Sequence, residues 1–185
     1  MEQKKEIFAD DTKESVGLLL RLRLPWLVIG LVGGSLAALL VSRFEGVIEQ
    51  NVSLAFFLPI IVYMSDAVGT QTETIYVRNL AKGNIRLRTY FLKELILGIS
   101  LGLIFGVAIG IFANLWLGSP EIARTVGISM FATVTTAPIV ALLVPALLQK
   151  EHTDPALGGG PFTTIIQDVI SLLIYFLVAT TILLS

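Results

Sequence analysis

The chain of 185 residues is too apolar for a soluble domain, because 55% of its residues are hydrophobic and only 15% are charged, against about 25% charged in soluble domains. A net charge of -1 excludes the clustered basic surface of a nucleic-acid-binding protein. Without cysteine and with a single histidine, the chain offers no thiolate site, no histidine cluster and no serine–histidine–acid catalytic site. We therefore predict an integral membrane protein that is not an enzyme.

The N-terminal segment predicts a short cytoplasmic tail followed by an interfacial helix. Residues 1–14 mix lysines with acidic residues and contain no long apolar run, which excludes a cleavable signal peptide. Residues 15–23 combine leucines with Arg21 and Arg23 and are typical of an amphipathic helix at the membrane surface. The predicted organisation is thus a tail and interfacial helix over 1–23 and a transmembrane domain over 24–185.

Five apolar segments follow the tail, each about as long as the ~20 residues that an α-helix needs to cross ~30 Å of hydrocarbon. The predicted spans are residues 25–42, 54–77, 91–117, 122–148 and 162–184. The loops between them are short. The predicted fold class is an all-α integral membrane protein with five transmembrane helices per subunit, preceded by a short amphipathic helix.

The lysines and arginines predict the orientation, because cytoplasmic loops carry an excess of them. Eleven lie in the N-terminal tail, in the loop between spans two and three with its flanks, or in the loop between spans four and five. Only Arg43 and Arg124 lie on the other side. The distribution predicts a multi-pass protein of the cell membrane with a cytoplasmic N-terminus and an outward C-terminus.

Small residues recur at every fourth position in two spans, which indicates close helix packing in lipid. The two stripes are Gly98, Gly102, Gly106 and Gly110 in the third span and Gly30, Gly34 and Ala38 in the first.

Asp168 is the strongest candidate for a functional residue, because it lies about two turns inside the fifth span. A charged side chain at that depth costs about 2.5–3.5 kcal/mol on insertion scales and is expected to face a bundle interior or a water path.

Two polar stripes predict one hydrated pathway between spans two and five. Helical periodicity places the members of each stripe on one helix face. The stripes are Asp66, Gly69, Thr70, Glu73 and Thr74 in the second span, and Pro161, Thr164, Asp168, Ser171 and Tyr175 in the fifth.

Carboxylates, hydroxyls and carbonyls without thiolate or imidazole suit hard cations such as Mg²⁺, Ca²⁺ and Mn²⁺. Mg²⁺ keeps several of its waters and needs few direct ligands. A single Asp168 supplies only one carboxylate to a divalent ion, whereas a two-fold dimer would present two copies of it. These residues predict a divalent-cation path along the axis of a homodimer in membrane lipid.

The chain resembles the membrane domain of the MgtE family of magnesium channels and transporters over about residues 20–185. The matching stretches are RLPW at 23–26, VGTQT at 68–72, KEL at 93–95, DPALGGGPF at 154–162 and LLIYF at 172–176. The resemblance implies a homodimer with five helices per subunit, an ion path lined by spans two and five, and hydrated Mg²⁺ held at Asp168. Mn²⁺, Co²⁺ and Ca²⁺ stay open as transported ions. The candidate metal ligands are Asp168, Asp66, Thr164, Gly69, Thr70 and Glu73.

Two departures from the family pattern limit what the resemblance implies. The family usually has glycine-glycine-asparagine where this chain has Ser65, Asp66 and Ala67, so Asp66 adds a carboxylate that could form a second ion site or change selectivity. Residues 1–23 are too few for the cytoplasmic sensor domains that typically precede this domain in bacterial members. We therefore expect no gating by an attached sensor, and regulation by a separate cytoplasmic protein stays open.

Structural roles compete with the functional ones at several positions. Asp168 could bond a neighbouring helix, Asp66 could pair with a basic residue, and Arg78 or Lys82 could neutralise Glu73. Glu94 fits an ion pair or a hydrogen bond better than an ion site. Asp154 fits a turn before proline, and His152 fits a solvated loop.

Two other classes of function remain open beside a passive or potential-driven Mg²⁺ conduit. In the first, Asp66 or Glu73 takes up H⁺ or Na⁺ and the chain is an ion-coupled secondary transporter of divalent cations. In the second, the chain is a membrane scaffold subunit without transport activity.

Overall fold

The computed structural model describes residues 13–80, 82, 87–150 and 155–183, which contain six α-helices and no strand. The helices are α1 (Val16–Ser42), α2 (Glu45–Gln50), α3 (Ser53–Leu80), α4 (Leu87–Leu117), α5 (Pro120–Lys150) and α6 (Pro155–Leu183). All except α2 are long and apolar enough to cross a membrane. The predicted all-α fold with five transmembrane helices is confirmed. Residues 1–12, His152 and Asp154 lie outside the described residues.

Helix α1 joins the segment predicted as an interfacial helix to the first predicted span. It begins after Ser15, whose side chain accepts a hydrogen bond from the amide of Leu18 at 3.4 Å. The helix runs without a break through Pro25 to Ser42. Proline is accepted inside membrane helices because neighbouring helices and local adjustments satisfy the backbone groups that it leaves unbonded. Helix α1 therefore has no end at the predicted boundary at residue 23.

The short helix α2 was not predicted. It connects α1 to α3 and buries Val47. Phe44, which precedes α2, stacks on Phe176 of α6 with ring centroids 4.5 Å apart. This contact ties the connection to the end of the bundle that holds the core residues Leu54, Phe57 and Tyr175.

The glycine stripe of the third span is confirmed as a packing surface against α5. A Cβ atom on Gly102 or Gly106 would lie 2.7 Å from a backbone carbonyl oxygen of α5, and one on Gly98 or Gly110 would lie 3.0 or 3.2 Å from another. Only glycine permits such an approach of two backbones. The carbonyls belong to Thr135, Phe131, Gly127 and Ala123.

The stripe predicted in the first span meets α6 only at Gly30, where a Cβ atom would lie 4.0 Å from Pro161. Gly33 and Ala37 are the buried residues of α1, and a Cβ on Gly33 would lie 2.5 Å from the side chain of Ile165 in α6. Gly34 and Ala38 are exposed. Both sets of residues have the spacing of a helical stripe, so spacing alone does not tell which one faces α6.

Helix α5 is the central helix of the subunit and packs against α3, α4 and α6. Thr133 and Thr136 return hydrogen bonds to carbonyls of their own helix at 2.9–3.3 Å. Thr135 instead donates to the carbonyl of Gly98 in α4 at 3.4 Å. Helix α5 continues through Pro138 to Lys150.

Polar contacts fix how α3 and α6 face each other. The Tyr175 hydroxyl donates to the carbonyl of Leu54 at 2.7 Å, and the Ser171 hydroxyl donates to that of Ser65 at 2.9 Å. Later residues of α3 therefore meet earlier residues of α6, as in antiparallel helices. This register decides which residues can form a site together.

Candidate ion-binding groove

A groove with a volume of about 510 Å³ lies between α1, α3 and α6. Its apolar walls are Val41, Leu58, Pro59, Val62, Tyr63 and Leu172, and its polar residues are Asp66, Thr164 and Asp168. Tyr63 is 68% exposed, which shows that the groove opens at the surface of the single subunit. Two carboxylates and a hydroxyl thus share a groove in helices that are otherwise apolar. We call this feature the acidic groove.

Three of the predicted ligands meet in the acidic groove. The Thr164 hydroxyl donates a hydrogen bond to Oδ1 of Asp66 at 3.2 Å, which joins α6 to α3. Asp168 lies one helical turn after Thr164 and lines the same groove. The negative charge of Asp66 acts on Asp168, so a cation between them would relieve their repulsion.

The stripe predicted on the fifth span divides into two parts. Thr164 and Asp168 line the groove, whereas Ser171 and Tyr175 are buried beneath α3. Ser171 and Tyr175 donate to α3 in the contacts described above, so α3 covers this end of the stripe. The prediction that these two residues face the ion path is wrong, since helical periodicity does not show where another helix crosses.

The stripe predicted on the second span contributes only Asp66 to the groove. Gly69 is buried and lies directly against the side chain of Gln167, while Thr70 and Thr74 are exposed. Glu73 lies beside α6 instead, where a Cβ on Gly159 would be 2.5 Å from its Oε1. The five residues predicted to share one helix face therefore lie in different surroundings, and they do not form one site.

Polar contacts behind the groove hold its two carboxylate-bearing helices. Ser65, the residue before Asp66, donates to the carbonyl of Thr133 at 3.3 Å. Gln167, the residue before Asp168, is 2% exposed and donates from Nε2 to the carbonyl of Ala137 at 3.0 Å. Each carboxylate of the groove is thus preceded by a residue that is anchored to α5.

The sequence prediction did not assign Gln167. Its amide next to Asp168 in an apolar helix was an available signal, because polar side chains hydrogen-bond across helices in membranes. The glycine that makes room for it, Gly69, lies in another span. The sequence alone does not pair the two.

Glu94 lies apart from the acidic groove. Its Oε2 accepts a hydrogen bond from the Thr72 hydroxyl at 2.8 Å. The expectation that Glu94 takes part in an ion pair or a hydrogen bond is confirmed, and the partner is a hydroxyl of α3.

Comparison with known proteins assigns the chain to a family. Residues 58–178, which include every polar residue of the acidic groove, match the model of the MgtE family, described as a divalent cation transporter. The chain belongs to the MgtE family. The magnesium transporter MgtE of Bacillus subtilis is 34% identical over 161 residues, which cover 85% of this chain and 36% of that protein.

Two further MgtE relatives have similar identities. The magnesium transporter MgtE of Thermus thermophilus is 34% identical over 160 residues, covering 85% of this chain and 35% of that protein. The one of Enterococcus faecalis is 32% identical over 161 residues, covering 85% and 36%. This MgtE-family chain therefore spans about a third of the length of these relatives.

Proposed function

We propose that the chain forms the membrane path of a divalent-cation transporter and that Mg²⁺ is its principal ion. The observation that carries this proposal is the meeting of Asp66, Thr164 and Asp168 in one open groove of an apolar helix bundle. Membership of the MgtE family and the names of its relatives as magnesium transporters support the same ion. The proposed orientation has the N-terminus in the cytoplasm, by the positive-inside rule.

The size and chemistry of the groove suit a largely hydrated ion. Mg²⁺ prefers octahedral oxygen coordination and keeps several waters. Six waters occupy about 180 Å³ at ~30 Å³ each, which is less than the groove volume of about 510 Å³. Among the described residues, no group of three or more His, Cys, Asp or Glu side chains could enclose a bare ion. We assign Asp168 as the principal anchor and Asp66 as a second carboxylate that tunes selectivity.

The other four predicted ligands do not anchor the ion directly in this proposal. Thr164 orients the Asp66 carboxylate through its hydrogen bond. Gly69 allows α3 to approach Gln167. Thr70 and Glu73 lie one to two turns closer to the proposed cytoplasmic end of α3 and do not line the groove, so neither is assigned as a ligand of the ion held there.

A second copy of the chain completes the path. In a lone subunit the acidic groove would open to lipid, where each exposed carboxylate is costly. A two-fold axis along the groove would cover it and bring two Asp168 residues together, which balances the charge of one divalent ion. The exposed Tyr63 and the partly buried Leu58 and Val62 would then lie at the subunit interface.

Ion uptake into liposomes that contain the purified protein tests the proposal. We expect Mg²⁺ to enter along its concentration gradient or an imposed membrane potential when pH and Na⁺ are equal on both sides. Uptake that appears only with a pH or Na⁺ gradient would instead show a coupled transporter. No uptake under any of these conditions would indicate a scaffold subunit and overturn the proposal.

A further inference from the structure

Two buried oxygens of α6 have no hydrogen-bond partner among the described residues. They are Oγ1 of Thr163, in a residue 1% exposed, and Oε1 of Gln167, in a residue 2% exposed. The two residues are four apart on one helix, so their Cβ atoms lie about 5–6 Å from each other on the same face. Buried polar atoms in proteins are nearly always satisfied, and an exception points to a bound water or ion.

A carboxylate of α3 lies beside the first of these two residues. The Thr163 hydroxyl lies beside the Glu73 carboxylate without meeting the geometry of a hydrogen bond. Gly159 of α6, four residues before Thr163, also lies against Glu73, and Gly69 of α3, four residues before Glu73, lies against Gln167. The two glycines allow the helices to approach, so three oxygen-bearing side chains lie along the contact between α3 and α6. We call this set, Glu73, Thr163 and Gln167, the oxygen pocket.

The oxygen pocket is separate from the acidic groove. Thr163 and Gln167 each precede a groove residue, Thr164 and Asp168, and therefore face about 100° away from it around the helix. The groove side chains are partly exposed, whereas Thr163 and Gln167 are buried. An ion in the oxygen pocket would thus be held between two helices of one subunit.

The charge of the oxygen pocket calls for a cation. The described groups that act on Glu73 include the Thr163 hydroxyl and the like charge of Asp66, and neither balances the negative charge of this partly buried carboxylate. The Gln167 side chain is held in one orientation, because its Nε2 donates to the carbonyl of Ala137. Its Oε1 has no hydrogen-bond partner among the described residues and is available to coordinate a cation. One carboxylate with two neutral oxygens neutralises a single positive charge, whereas a divalent ion would keep a net charge in a low-dielectric site.

We propose that Glu73, Thr163 and Gln167 form a binding site for a small monovalent cation, Na⁺, between α3 and α6. Oxygen ligands suit such a hard ion. The ion would link α3 to α6, the two helices that carry the polar residues of the acidic groove. The proposal does not rest on Mg²⁺ transport, because Na⁺ binding can be measured in the absence of Mg²⁺.

Thermal unfolding of the purified protein in lipid nanodiscs, without Mg²⁺, tests the site. Replacing choline chloride with NaCl at constant ionic strength should raise Tm saturably, by about 5 °C once Na⁺ far exceeds its Kd. A Tm that is equal in the two salts would overturn the proposal.

The neighbouring threonines supply matched variants. Thr163→Val keeps the shape of a side chain whose hydroxyl has no partner, so the protein should fold and lose the Na⁺-dependent rise in Tm. Thr164→Val makes the same change in the acidic groove and should keep that rise. Glu73→Gln, a second variant of similar shape, should also lose it. A rise that persists in both Thr163→Val and Glu73→Gln, or that disappears in Thr164→Val alone, would contradict the site.

Discussion

Asp66 and Asp168 have unequal roles in the proposed path although both line the acidic groove. Asp66 already accepts a hydrogen bond from Thr164 at 3.2 Å, so part of its capacity to bind an ion is used within the subunit. Asp168 lies one turn further along α6 and lines the same groove. We therefore expect the two carboxylates to respond differently to substitution.

Asp66→Ala should leave measurable Mg²⁺ flux and weaken the apparent affinity about tenfold, which corresponds to ~1.4 kcal/mol. One carboxylate of the groove is lost, while Asp168 still holds a mostly hydrated ion. Uptake of Mg²⁺, Ca²⁺ and Mn²⁺ into liposomes, measured separately, should also show a changed preference among the ions. If Asp66→Ala lost all flux, Asp66 would be an essential ligand and the ranking of the two residues would be wrong.

At the residue scale, the sequence predicted part of the groove. Asp168 and Asp66 stand out as charges in apolar segments, and the structure brings both to one groove together with Thr164. Ser171 and Tyr175 share the periodicity of Asp168 but are covered by α3. Which residues face the groove depends on the crossing of two helices, and local periodicity does not contain that information.

At the element scale, the contact of α4 with α5 depends on glycines. Four glycines of α4 face backbone carbonyls of α5, and at Gly102 and Gly106 the distances leave no room for a Cβ atom. Lipid is as apolar as the helix surfaces, so close packing rather than the hydrophobic effect stabilises this pair. Bilayer-spanning length and this stripe made α4 and its packing predictable, whereas α2 is too short and mixed in composition to give such a pattern.

Gly106→Ala should destabilise the protein by about 1–3 kcal/mol. Its new Cβ would lie 2.7 Å from the carbonyl oxygen of Gly127, so α4 and α5 would have to separate. Gly17→Ala is the control, because a Cβ there has no described residue within 4 Å. Thermal unfolding in matched lipid nanodiscs should show a lower Tm for Gly106→Ala and an unchanged or slightly higher Tm for Gly17→Ala. Equal values for the two variants would contradict the packing role of the stripe.

At the scale of the whole molecule, the acidic groove is open on the side that faces away from its own subunit. Tyr63, Leu58 and Val62 form apolar walls around it, and a symmetry-related subunit would bury them together with the carboxylates. The chain contains no cysteine, so single engineered thiols report on this interface without background.

Tyr63→Cys should cross-link between subunits in membranes, because residue 63 is exposed at the rim of the groove. Ser171→Cys is the control and should not cross-link, since Ser171 is buried and bonded to Ser65. Gel mobility without reductant, after mild oxidation, measures the outcome. Failure of Tyr63→Cys to cross-link, with intact insertion, would place the subunit interface on another face.

The most direct test of the central claim is Mg²⁺ uptake by the Asp168→Asn variant in liposomes. Asparagine keeps the size of the side chain and removes the charge that makes this position costly in a membrane. Insertion and assembly should therefore match those of the unaltered protein by size-exclusion chromatography. Under those conditions we expect Mg²⁺ flux to fall to the level of empty liposomes. Flux equal to that of the unaltered protein would contradict the assignment of the acidic groove as the ion path.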